Sequence, residues 1–229
     1  MHDKKCFLVG NKLKLRLLNC YQYNLQCKYK VTRGLWKLVM GSTPDENECG
    51  LDCPVLGASW EEIQVFLTKL NAKYPGKSYR LPTEAEWEFA ARAGDQDAVY
   101  GNLDAIAWYQ GNSGDALHPV GQKQPNSWGL FDFIGDAYEY CQDWYGPYPV
   151  TNLADPKGPA YGTERVRRGG YYGDTNGQDY AIEITDGVAK KKYYAEGRDL
   201  RAAFREKSGP KTENFFTGFR LARSLETTR

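Results

Sequence analysis

The stretch 79–92 (Tyr79, Arg80, Leu81, Pro82, Thr83, Glu84 and onward to Arg92) constrains the fold more than any other. It reads as the start of a helix. Pro82 fixes φ and has no backbone donor, so a strand ending near Leu81 stops there. Thr83 sits where an N-cap belongs, and Glu86 follows at the capping-box spacing. Glu84, Glu86 and Glu88 put negative charge near the positive end of the helix dipole. Trp87, Ala90 and Ala91 recur at helical spacing and form one apolar face that must be buried.

Two more helices are legible by the same signs. Thr32 caps Arg33–Met40, with Leu35, Trp36 and Val39 facing inward. Ser59 and Glu62 make a second capping box, and Ile63, Phe66, Leu67 and Leu70 mark a helix over 60–72. Residues 41–54 are loop-like, rich in Gly, Pro, Asp and Asn. From Gly111 onward the pattern predicts short strands and long loops, with 198–205 reading as a strand or a helical turn. No repeat, low-complexity tract or linker divides the chain. The 24 Gly and 11 Pro favour one loop-rich domain, and 17 Tyr, 9 Phe and 6 Trp supply a core anchored on aromatics.

Charge excludes some functions. With 30 basic and 29 acidic residues the formal charge is +1, so no global field selects nucleic acid or an acidic membrane surface. The run Lys190-Lys191-Lys192 beside Tyr193 and Tyr194 is a local basic patch, and three lysines in a row are more often a solvated loop than a nucleic-acid site. No apolar run reaches membrane-spanning length. His2 and His118 are the only histidines, which argues against a multi-histidine metal centre.

Six cysteines stand at 6, 20, 27, 49, 53 and 141. Cys49 and Cys53 either close a small loop as a disulfide or remain two free thiols, and no zinc-ligand spacing accompanies them. Residues 1–28 form an N-terminal segment of uncertain role. Leu13, Leu15 and Leu17 alternate with basic residues there, as in a first strand with one wet face. The segment carries no signal-peptide core, and the compartment is not legible.

Several elements together resemble the formylglycine-generating-enzyme, or sulfatase-modifying-factor, superfamily. They are Tyr29-Lys30-Val31-Thr32-Arg33-Gly34-Leu35-Trp36; Cys53-Pro54-Val55 with Ser59-Trp60; the helix beginning at Thr83; and Gly129-Leu130-Phe131-Asp132-Phe133-Ile134-Gly135-Asp136-Ala137-Tyr138-Glu139-Tyr140. Arg168-Gly169-Gly170, Arg201, Arg205 and Gly218-Phe219-Arg220 complete the series. They occur in family order from about 29 to 223. The resemblance implies an α+β, C-type-lectin-like fold over 29–229, loop-rich, with few helices and short antiparallel strands. It does not by itself imply the enzyme activity.

What the resemblance implies about sites is mixed. The family's oxidase uses two C-terminal cysteines that bind copper(I), because soft thiolates hold a soft redox cation. At the corresponding positions this chain has Asp174 and Gly197, and no cysteine follows Cys141. No copper is expected. The block 132–139 corresponds to one that wraps a structural calcium ion in the family. Asp132 and Glu139 would supply carboxylates, and the backbones of Gly135 and Ala137 carbonyls; the other reading is a hydrogen-bonded turn without metal. In lectin-like relatives, including the variable proteins of diversity-generating retroelements, the C-terminal region forms an exposed binding face. Here Tyr171, Tyr172, Asp174, Asn176, Tyr180, Tyr193 and Arg198 are the candidates, since Tyr gives broad contact area and Asn or Asp adaptable hydrogen bonds. The spacing from Gly170 to Arg201 exceeds the usual family spacing, as an insertion would produce.

The resulting expectation is a non-catalytic module that binds a protein or a small ligand through this face. The alternative is a formylglycine-generating oxidase acting on a client-protein cysteine. A scaffold or accessory subunit with an exposed apolar patch is a third reading. Arg168, Arg201, Arg205 and Arg220 read as structural clips. Glu84, Glu86 and Glu88 fall on different helix faces and are explained by capping and dipole effects rather than acid–base chemistry.

Overall fold

A computed structural model describes residues 26–45, 48–97, 99–148, 154–174, 180–185, 188–193 and 200–223. The predicted alternation at 13–17 lies outside them. Strand β1 (Gln26–Lys30) leads into α1 (Arg33–Met40). After a loop come α2 (Trp60–Lys73), β2 (Tyr79–Arg80), α3 (Glu84–Arg92) and α4 (Leu103–Ile106). The rest is strand and loop: β3 (Tyr138–Trp144), β4 (Arg165–Arg168), β5 (Tyr180–Thr185), β6 (Val188–Tyr193), β7 (Arg205–Ser208), β8 (Thr217–Gly218) and β9 (Arg220–Arg223). The expected α+β architecture with few helices is what the chain adopts.

The helix starts form where the local chemistry places them. Thr83 Oγ1 accepts from the Glu86 amide at 3.2 Å, and Glu86 Oε2 accepts from the Thr83 amide at 2.8 Å. Ser59 and Glu62 repeat the arrangement at α2, at 3.3 and 2.8 Å. Arg80 grips Glu86 with two hydrogen bonds, at 2.6 and 2.7 Å. Burial pushes the Glu86 carboxyl up, but the Arg80 and Thr83 bonds outweigh it and hold the group below its ordinary range. Thr83→Ala removes one cap acceptor, and chemical denaturation is expected to show a loss of about 1 kcal/mol.

Strands from the two ends of the described chain share a sheet, in the order β1-β9-β2, with Lys30 opposite Arg220 and Arg80 opposite Ala222. Against it pack α1 and α2, through Leu35, Trp36, Ile63, Phe66, Leu70, Phe219 and Leu221. Trp36 and Phe66 stack with centroids 5.1 Å apart, and Phe219 meets both edge-on. A second sheet, β7-β4-β3-β8, carries the other core cluster. There Trp87, Ala90 and Ala91 of α3 bury against Phe133, Ile134, Cys141 and Val166. The helix face read from the sequence is therefore the face that is buried.

The longer spacing after Gly170 contains an antiparallel ribbon, β5-β6, that pairs with neither larger sheet among the described residues. Tyr180 and Tyr193 are register partners at its open end, and Lys190, Lys191 and Lys192 lie opposite Glu183, Ile182 and Ala181. Asn176, Gly197 and Arg198 lie outside the described residues. Cys49 and Cys53 form a disulfide, which resolves the open choice between bridge and thiols, while Cys27 and Cys141 are buried in the core. No helix among the described residues is long and apolar enough to cross a membrane.

Candidate functional site

The site grows from the loop 129–137. Asp132, Gly135 and Asp136 all have left-handed backbone, at φ 59°, 73° and 63°. At Gly135 a Cβ would lie 2.1 Å from the Trp108 carbonyl oxygen, so only glycine fits. The coil lets the block hold three distant segments. Gly135 N–H donates to Gly169 O at 2.7 Å, Asp136 N–H to Trp108 O at 2.8 Å, and Tyr172 N–H to Asp136 O at 3.1 Å. The Asp136 carboxylate accepts from the His118 amide at 2.9 Å, and that of Asp132 from the Gly121 amide at 2.7 Å. The His118 ring stacks on Trp108, with centroids 3.7 Å apart.

Behind this loop lies an ionic layer between the two aromatic clusters. Glu139 is wholly buried. Its carboxylate accepts from Lys30 Nζ at 2.8 Å, from Arg220 Nε and Nη2 at 2.6 and 2.7 Å, and from Trp87 Nε1 at 2.9 Å. Burial pushes this carboxyl up, and the nearby Arg220 and Lys30 charges more than reverse that, so it stays below the usual carboxylate range. Arg220 also donates to the Phe131 carbonyl at 3.0 Å and lies over the Phe133 ring. The predicted structural role of Arg220 is what the geometry displays.

Arg168 and Arg205 are clips as well. Arg168 donates to the carbonyls of Ala203 and Phe204 at 2.9 and 2.8 Å and pairs with Glu88. Arg205 grips Glu84 at 2.5 and 2.7 Å and the Gly146 carbonyl at 2.8 Å. Both glutamates are therefore held by guanidinium groups, in keeping with a structural part for the α3 acids. Asp143 sits beside them, its carboxylate accepting from the Glu84 amide at 2.8 Å. Burial, with Glu84 close by, raises its carboxyl to about 6.

On the outer side of the loop, Tyr171 and Tyr172 are half-buried. Tyr171 stacks on Tyr138 and lies 4.8 Å from the Phe216 ring, with Tyr172 6.3 Å from the same ring. Asp174 shapes the turn: its carboxylate accepts from the Tyr171 amide at 2.9 Å, and its carbonyl accepts from the Gln110 amide at 3.0 Å. Ser113 Oγ donates to the Tyr172 carbonyl at 2.9 Å. Tyr172, Phe215, Phe216, Leu56 and Leu117 line a groove of about 560 Å³ together with Asp45, Glu48 and Cys49. Phe215 is 57 % and Phe216 44 % exposed. Asp45 is paired with Arg33 at 2.9 Å.

Of the residues predicted for the binding face, Tyr172 lines this groove and Tyr171 and Asp174 build the turn beside it. Tyr180 and Tyr193 are placed by register on the ribbon. Phe215 and Phe216 were not foreseen. The signal for them is an adjacent aromatic pair in a polar loop just before Gly218-Phe219-Arg220, where a core role would need alternation.

Comparison with known proteins agrees with this architecture. The family described as "Sulfatase-modifying factor enzyme 1-like domain" matches residues 15–225. The chain is 34 % identical over 178 residues to a protein named serine/threonine-protein kinase pkn1 of Chlamydia pneumoniae, covering 75 % of this chain and 24 % of that protein. It is 37 % identical over 138 residues to the formylglycine-generating enzyme of Streptomyces coelicolor, covering 52 % of this chain and 42 % of the enzyme. The chain thus spans less than half the length of either relative. The solved structure of Treponema denticola variable protein 1 superposes with a TM-score of 0.71 at 27 % identity, covering 86 % of this chain and 84 % of that one. The chain belongs to the sulfatase-modifying-factor, formylglycine-generating-enzyme-like family.

Proposed function

We propose that this domain is a non-catalytic binding module and that the groove edged by Tyr172, Phe215 and Phe216 takes a peptide segment of a partner protein. The observation that carries the reading is the convergence of these rings on a concave surface of about 560 Å³. Two large apolar side chains left in solvent side by side are unusual outside interaction sites, and the volume lies in the range of ligand pockets. The groove is continuous with the turn formed by Tyr171, Tyr172 and Asp174, the region that the family resemblance assigns to binding.

Oxidase chemistry has little support among the described residues. The family's copper pair needs two thiolates close together. Cys49 and Cys53 are joined, and Cys27 and Cys141 lie in separate buried clusters. No cysteine follows Cys141. Burial pushes the Cys141 thiol well up, away from the thiolate a metal would need.

The test is to pan a random peptide library on the purified protein and measure the enriched peptides against variants. Phe216→Ala and Tyr172→Ala are each expected to weaken binding at least about tenfold, as for an aromatic anchor in an interface. Peptides that bind both variants as tightly as the wild type would place the ligand elsewhere. Conversion of a cysteine-containing sulfatase peptide by the copper-loaded protein would overturn the non-catalytic reading.

A further inference from the structure

The block 132–139 resembles a calcium-wrapping loop, yet oxygens of three of its four expected ligands, Asp132, Gly135 and Glu139, already have partners. Both carboxylate oxygens of Glu139 face cations: Oε1 meets Lys30 at 2.8 Å and Arg220 Nη2 at 2.7 Å, and Oε2 meets Arg220 Nε at 2.6 Å. Trp87 Nε1 adds a fourth donor, on Oε2 at 2.9 Å. The Asp132 carbonyl accepts from the Lys30 ammonium, and one Asp132 carboxylate oxygen accepts from the Gly121 amide. The Gly135 carbonyl accepts from the Ala137 amide at 2.8 Å. A calcium ion takes six to eight oxygens, and among the described residues no cluster of three or more Asp, Glu, His or Cys is arranged to hold a metal.

Charge points the same way. Lys30 and Arg220 are fully buried beside Glu139, and Asp132 and Asp136 lie nearby. A divalent ion added here would face two fixed positive charges in a water-poor layer, where like charges interact strongly. The residues do not fit calcium.

We propose that the Lys30 ammonium is itself the resident cation of this block, joining the Asp132 carbonyl to the Glu139 carboxylate as a bound metal would. Lys30 stands on β1 opposite Arg220 of β9. One side chain thereby ties the loop 129–137 to the sheet formed by the first and last strands. A lysine suits this position because its charge is compact and carries several donors on a flexible stem. The fold then needs no metal to complete it, and its stability does not depend on free calcium.

The test uses the full chain, stripped of metal, in thermal melts with EGTA or with millimolar calcium chloride, and in calorimetric titration with calcium. The same Tm in both buffers and no heat of binding are expected. A calcium-dependent rise in Tm, which mass action requires of any ion that binds only the folded state, would overturn the proposal. A second arm compares Lys30→Met, which keeps the stem and removes the charge. Its Tm is expected to fall by about 5–10 °C and calcium should not restore it. A variant as stable as the wild type would show that Lys30 is not the cation that holds the block. If Lys30→Met does not fold, the calcium and EGTA comparison on the wild type still decides the matter.

Discussion

Glu139→Ala is expected to be the most damaging single substitution in this chain, costing about 3–5 kcal/mol. That is a large fraction of the roughly 5–15 kcal/mol by which domains are stable. The reason is what the carboxylate leaves behind. Lys30, Arg220 and the Trp87 indole all lose their buried acceptor at once. Two cations would then share an enclosed layer with only Asp132 and Asp136, whose carboxyls burial pushes towards the neutral form, to balance them. Removing one partner of a buried ion network costs more than the pair contributes, because the survivors stay desolvated. Glu139→Gln separates the two components. It keeps the shape and one acceptor oxygen but takes away the negative charge, so it should fall between wild type and alanine. Urea denaturation followed by near-ultraviolet circular dichroism would measure the series. An alanine variant with an unchanged midpoint would mean that the layer is not the keystone the geometry makes it.

This layer also explains what could be read from the sequence and what could not. The three longer helices were legible because their determinants are local: Thr32, Ser59 and Thr83 each cap within three residues, and Trp87, Ala90 and Ala91 repeat on one face. The ionic layer is not local. Lys30, Glu139 and Arg220 are separated by 109 and 81 residues, and no spacing rule links them. In sequence Lys30 is one polar residue within a short strand, although it is almost fully buried. The groove was half legible. Tyr171 and Tyr172 stood out as an aromatic pair after Gly170, but their partners Phe215 and Phe216 arrive through β8, whose parallel pairing with β3 brings them alongside. The extra length after Gly170 was visible as a count of residues, while its form as a ribbon depended on pairing that the periodicity did not announce.

The second large effect concerns pH and resides in Asp136. Burial, with Asp132 nearby, raises its carboxyl from the ordinary 3.8 to about 7. The direction of linkage follows from proton counts. Between about pH 4 and 7 the folded state keeps a proton that the unfolded state has released, so stability falls as pH rises through that window. Each unit of difference is worth about 1.4 kcal/mol, so the window spans a few kcal/mol. Asp132 is raised by burial and acts in the same sense, while the lowered Glu139 acts in the opposite one. Asp136→Asn isolates the effect. Asparagine keeps an oxygen for the His118 amide and tolerates the left-handed backbone at φ 63°. It cannot ionise. The variant should lie closest to the wild type below about pH 4 and melt progressively higher than it from there to pH 8, with a flatter profile of Tm against pH. Because Asp143, raised to about 6, is present in both proteins, it cancels in the difference. Parallel profiles for the two proteins would mean that Asp136 ionises at its ordinary pH in the folded chain and that the loop is open to water.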